Sequence, residues 1–204
     1  MSGSDNHWDR RFDQEAYVFG TEPNAFLVQQ AHRLTAGQTA LAVADGEGRN
    51  GVWLAEQGLT VISVDSSAVA QAKAQKLALT RGVVLETQLA DLALWEWPKG
   101  GFDLVVGIFI QFADPALRSR IFAAMIDALK PGGLILLQGY RPEQIAYGTG
   151  GPKLVENLYS EALLRSAFGE LEILELAVHD TVIREGDGHD GMSALIDLVA
   201  RKPD

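Results

Sequence analysis

Short apolar runs alternate along this chain with stretches whose apolar positions recur every three or four residues. The first pattern predicts buried strands at 39–44, 60–65, 83–88, 102–110 and 134–138. The second predicts helices at 49–57, 67–80, 115–130 and 160–168. The last of the long pair has Leu117, Ile121, Met125 and Leu129 on one face behind Pro115. Pro131-Gly132-Gly133 predicts a tight turn after it. Two further runs, 171–178 and 193–200, follow each other without a helix and read as a hairpin around a polar loop at 180–191. Strand and helix in alternation predict a parallel sheet with helices on both faces. No linker interrupts the pattern, so residues 1–204 read as a single domain. Residues 1–35 form an N-terminal helical arm. Its signals are Asp5 or Asn6 as a cap, Trp8 and Phe12 four apart, a loop at Gly20 and Pro23, and Asn24 capping a helix through Leu34. Such an arm is either packed by its aromatics or a lid over a pocket.

Ligands of such sheets bind beyond the carboxyl ends of the strands. That rule singles out 45–51, 65–67, 91–92, 108–112 and 139–147. The first of these carries the distinctive chemistry. Gly46, Gly48 and Gly51 have the spacing of an adenosine-cofactor turn between strand and helix, where bare N–H groups meet a ligand closely. Asp65, at the end of the next strand, is placed to accept from ribose hydroxyls, or to cap the following helix with Ser66 or Ser67. Asp91 is placed to accept from an adenine amino group beside Leu92, or is an ordinary turn acid. Arg49 opposes the helix dipole and predicts a partner in Glu47 or another acid.

Composition narrows the function. A net charge of −10 argues against nucleic acid and anionic membrane surfaces but suits a cationic ligand. The absence of cysteine removes disulfides, thiolate zinc sites and a thiol nucleophile. His7, His32, His179 and His189 share no ligand spacing, so no metal site is expected, and His189 reads as a solvated turn residue. With no signal peptide and no membrane span, a cytoplasmic protein is expected. Trp95 and Trp97 read as loop plugs.

The residues Tyr17–Leu27 (YVFGTEPNAFL), Gly46-Glu47-Gly48-Arg49-Asn50, Val64-Asp65-Ser66-Ser67, the strand from Phe102, Leu129-Lys130-Pro131-Gly132-Gly133 and the terminal EGDGHDG segment resemble class I S-adenosylmethionine-dependent methyltransferases. They look closest to the small bacterial tellurite-resistance and thiopurine-type group. The resemblance implies a Rossmann-like seven-stranded sheet in the order 3-2-1-4-5-7-6, its last strand antiparallel. It implies S-adenosylmethionine as cofactor and a small-molecule methyl acceptor. The cofactor's methionine part would be held by Asp45, Gly46, Gly48 and Asn50, its ribose by Asp65 and Ser66, its adenine by Asp91 and Leu92, and its methionine or acceptor side by Ile108. Acceptor deprotonation would fall to Tyr17, Arg141, Tyr147 or His189. The sequence departs from the family where an acid and a glycine are usual and Ala42 and Ala44 stand. Asp45 is then the acid placed to meet the cofactor's amino group. Two other readings compete: a nicotinamide-dependent oxidoreductase, from the glycines alone, and a cofactor-binding protein on the same fold without catalysis, from the two alanines.

Overall fold

The computed structural model describes residues 7–186 and 188–204. Seven strands form one sheet in the order β3-β2-β1-β4-β5-β7-β6. They are β1 (Thr39–Val43), β2 (Thr60–Asp65), β3 (Glu86–Leu89), β4 (Phe102–Ile108), β5 (Leu129–Tyr140), β6 (Glu172–Arg184) and β7 (Asp190–Arg201). β1, β2 and β3 are parallel, as are β4 and β5, while β7 runs antiparallel to both β5 and β6. The order and the antiparallel strand are those the resemblance implied. The chain separates into two compact units, Met1–Trp95 with Glu185–Gly188, and Glu96–Arg184 with His189–Asp204.

The first unit carries α1 (His7–Phe12), α2 (Ala25–Gln29), α3 (Arg49–Glu56) and α4 (Ala68–Arg81). Asn24 caps α2 by accepting from the Leu27 N–H. Ser67 caps α4 in the same way, and Gly82 ends it in the left-handed conformation. That exit is why β3 starts later than the apolar run. Val83 still donates to the Ala78 carbonyl, and pairing with β2 begins only at Glu86. The core of this unit is Leu41, Val43, Leu54, Val64, Ala70 and Ala74.

The second unit carries α5 (Pro115–Ala128), α6 (Gln144–Tyr147) and α7 (Glu161–Ala167). Leu129 belongs to β5 rather than to the helix, and a register shift between Phe102 and Leu104 absorbs the Pro-Gly-Gly turn within the strand pair. The terminal hairpin is longer than its apolar runs. Asp180 to Arg184 pair with Asp190 to Ala194, because ladder hydrogen bonds need backbone, not apolar side chains, and β6 is an edge strand. The predicted loop at 180–191 thus shrinks to a short tip. His189 is correspondingly not a solvated turn residue: it is 8% exposed, with its ring stacked on Phe109.

Candidate functional site

β1 ends in a turn built from three differently employed glycines. Gly46 has φ 58, and a Cβ there would stand 3.4 Å from the Phe12 ring. Gly48 has φ 85 and lies so close to α4 that a Cβ would collide with Ala74. Gly51 leaves room for the Asp45 carboxylate. Gly46 thus lies against the arm through Phe12, while Gly48 and Gly51 serve packing and a cap.

Asp45 turns its carboxylate inward. It accepts from Ser63 Oγ at 2.8 Å and from the Gly51 N–H at 3.2 Å. Burial pushes its pKa up to about 7, against the pull of those two donors. The carboxylate predicted to meet a cofactor amino group is thus engaged beneath α3. Asp65 sits at the end of β2, 7% exposed. Its oxygens accept from the Gly46 N–H and the Ser67 N–H, each at 2.9 Å. Burial raises its pKa, and those N–H groups, with that of Ser66, oppose the rise. An acid that bridges the glycine turn to the α4 cap ties the ends of β1 and β2 to each other.

The polar residues between the glycines hold the arm. Glu47 Oε2 accepts from the Val18 N–H at 2.7 Å, and Asn50 Oδ1 from the Asn24 N–H at 2.9 Å. Arg49 Nη2 pairs with Glu185 at 2.7 Å, and Glu185 also accepts from Asn24 Nδ2. Arg49 thus finds an acid, though not Glu47. Its Nη1 is buried without a hydrogen-bond partner among the described residues. Lys73 of α4 pairs with Glu47 at 2.5 Å and donates to the carbonyls of Phe12, Gln14 and Ala16. Asp9 accepts from Ser67 Oγ at 2.6 Å. Phe12, Val18 and Ala70 form a buried cluster with Trp8 and Phe19 against it. Asp9, Phe12, Lys73 and Glu185 carried no signal in the sequence beyond the arm's aromatic pair and the terminal motif.

The remaining predicted residues fall as follows. Asp91 is exposed and closes its own turn, accepting from the Ala93 N–H, while Leu92 is buried. Tyr17 donates to the Lys73 carbonyl. Ile108 ends β4, partly exposed. Tyr147 donates to Asp180 at 2.8 Å, and Arg141 pairs with the same acid. His189 Nδ1 lies 2.6 Å from Tyr140 Oη. Among the described residues no cluster of acids and histidines is arranged to hold a metal ion, and no helix is long and apolar enough to cross a membrane.

A sheet with this order defines a Rossmann-like class of α/β proteins, whose ligands bind beyond the carboxyl ends of the strands. Residues 40–133 match the family profile described as a methyltransferase domain. An uncharacterised methyltransferase of Synechocystis is 31% identical over 105 residues, 51% of this chain and 48% of that protein. The chain thus spans about half the length of that curated relative. The N-methyltransferase NodS of Bradyrhizobium japonicum, solved with S-adenosyl-L-homocysteine, has a TM-score of 0.73 at 15% identity, covering 97% of each chain. TehB of Haemophilus influenzae has a TM-score of 0.71 at 18% identity, covering 96% of this chain and 65% of that one. At such identities the likeness is one of fold.

Proposed function

We propose that this chain is an S-adenosylmethionine-dependent methyltransferase acting on a small-molecule acceptor. The observation that carries the choice of cofactor is β7, antiparallel between β5 and β6. A dinucleotide fold continues its parallel order at that edge, 3-2-1-4-5-6. The residues suit the group. Gly46 has no side chain at the turn, Asp65 stands at the end of β2, and the buried Arg49 Nη1, without a hydrogen-bond partner among the described residues, is a donor for the carboxylate of a methionine moiety. The arm at 7–24 packs on the turn through Glu47, Asn50 and Lys73. When bound, the cofactor supplies an electrophilic methyl group on a sulfonium, so the protein's contribution is position and a dry environment rather than a nucleophile.

Titration calorimetry with S-adenosylhomocysteine and, separately, NADH tests this. Binding of the former only is expected, and binding of NADH only would overturn the reading. Asp65→Ala should weaken S-adenosylhomocysteine binding at least about tenfold, since hydrogen bonds to a charged group contribute roughly 1.5–3 kcal/mol. An unchanged dissociation constant would refute the ribose role. The inward turn of the Asp45 carboxylate favours a second reading, a cofactor-binding protein without turnover. It predicts binding with no methyl transfer across a panel of thiols, phenols and amines.

A further inference from the structure

The sheet ends in two edge strands of different character. β3 has four residues, of which Glu86, Thr87 and Gln88 are polar. β6 has thirteen, Glu172–Arg184, more than twice the usual strand length of about 5–6 residues. A long edge strand offers its unpaired N–H and C=O groups to another strand, and proteins blunt such edges with proline, lysine, bulges or brevity. β6 has neither proline nor lysine, and its register shift against β7, between Ile173 and Glu175, lies near its start. Beyond that shift it presents apolar side chains to water. Val178 is 49% and Val182 51% exposed, and Met192, which faces Val182 on β7, is 41% exposed. Asp180 alternates onto the same face between the two valines, and its carboxylate is already held by Arg141 and Tyr147.

The charges along β6 say what fits this edge. Acids gather before and at its start, as Glu170, Glu172 and Glu175, while Arg184 stands at its end. Arg184 is exposed and forms no ion pair among the described residues. We infer that β6 pairs antiparallel with β6 of a second copy of this chain, joining two sheets edge to edge about a two-fold axis. Antiparallel pairing brings the acidic start of each strand to the basic end of the other; parallel pairing would set acid on acid. In such a pair one residue faces itself across the axis. An axis through Glu175, His179 or Asp180 sets like groups opposite each other, which cross-strand pairs disfavour. One through Leu176 brings Glu172 to Asp180, and one through Val178 sets Leu176 against Asp180. An axis through Ala177 avoids all of these: Leu176 faces Val178 of the second copy, Glu175 faces His179, and Arg184 comes alongside Glu170 and Glu172. Each of these contacts occurs twice. The new ladder pairs the bare backbone groups, and the seam takes Leu176 and Val178 of both copies out of water.

Sedimentation equilibrium of the full chain tests this with no cofactor or acceptor present, so it stands or falls apart from the methyltransferase reading. A monomer–dimer equilibrium is expected. A monomer at every concentration up to the millimolar range would overturn the proposal and leave the edge to an extended segment of another protein. Val178→Lys places a charge in the seam at an exposed position, so it should abolish the dimer while circular dichroism shows the fold kept. A dimer that survives it would put the contact elsewhere and refute the assignment. Arg184→Glu should weaken dimerisation at least about tenfold, because each altered contact counts twice across the axis. Adding Glu170→Lys should recover part of that loss, and indifference to Arg184→Glu would overturn the antiparallel register. Amide exchange locates the seam: protection within 175–179 should rise with the concentration of the wild-type chain. Exchange there that ignores concentration would refute the seam, and this readout decides even if Val178→Lys fails to fold.

Discussion

Ala44 follows β1 at φ 47, in the left-handed region where a side chain costs about 1–2 kcal/mol. This is the position at which the resembled family has a glycine, so the departure read from sequence has a physical counterpart in the backbone. Ala44→Gly relieves that strain, while the added freedom of the unfolded chain takes back about 0.4–1 kcal/mol. A net gain of about 0.5–1 kcal/mol is expected, or a thermal midpoint about 2 °C higher for a chain of this size. A lower midpoint would show that the turn is relaxed with alanine. Two residues' distance in sequence separates this from Asp45's neighbour in the turn, and Asp45 itself makes a claim about pH. Its folded pKa of about 7 lies above the ordinary carboxylate value near 4. Between those values the native state binds more protons than the unfolded one, so this group's contribution to stability falls as pH rises from about 4 to about 7 and is constant above. Asp45→Asn mimics the protonated form. Denaturation at pH 5 and pH 8 should show the variant gaining on the wild type at the higher pH, and a pH-independent difference would contradict the buried-carboxyl account.

At the scale of elements, the arm is held less by its helices than by Lys73. α1 is one and a half turns and could not persist alone. The Lys73 ammonium neutralises Glu47 and gathers three arm carbonyls, and Glu47 in turn holds the Val18 N–H. Removing one partner of a buried pair costs about 3–5 kcal/mol because the other charge is left behind. Lys73→Met should therefore release the arm, with amide exchange at residues 12–20 accelerated while β1 and β2 stay protected. Adding Glu47→Gln should recover part of the loss, and unchanged exchange in the single variant would refute the latch. None of this was visible in the sequence, where Lys73 is one more polar position on a helix. The strands, the caps Asn24 and Ser67, and the glycine turn were legible because apolar period and cap chemistry are local. The destinations of Glu47, Arg49, Asn50 and Glu185 were not, since each is fixed by a partner far along the chain. His189 was misread for the same reason: its neighbours in sequence are polar, but its neighbours in space are Phe109 and Tyr140.

At the scale of the whole molecule, the net charge of −10 becomes an argument about the cofactor. S-adenosylmethionine carries one more positive charge than S-adenosylhomocysteine, on the sulfonium. A strongly anionic chain attracts the first and is indifferent to the second, and that attraction acts on the encounter before any contact forms. At low ionic strength the field reaches about 30 Å, and at 1 M salt about 3 Å. The association rate of S-adenosylmethionine should therefore fall as salt is raised, while that of S-adenosylhomocysteine stays nearly level, the two converging at high salt. Stopped-flow fluorescence from the tryptophans reads both rates. Parallel salt dependence for the two ligands would mean that the excess acids play no part in capture, and that on the proposed function selection between the two ligands falls to local contacts.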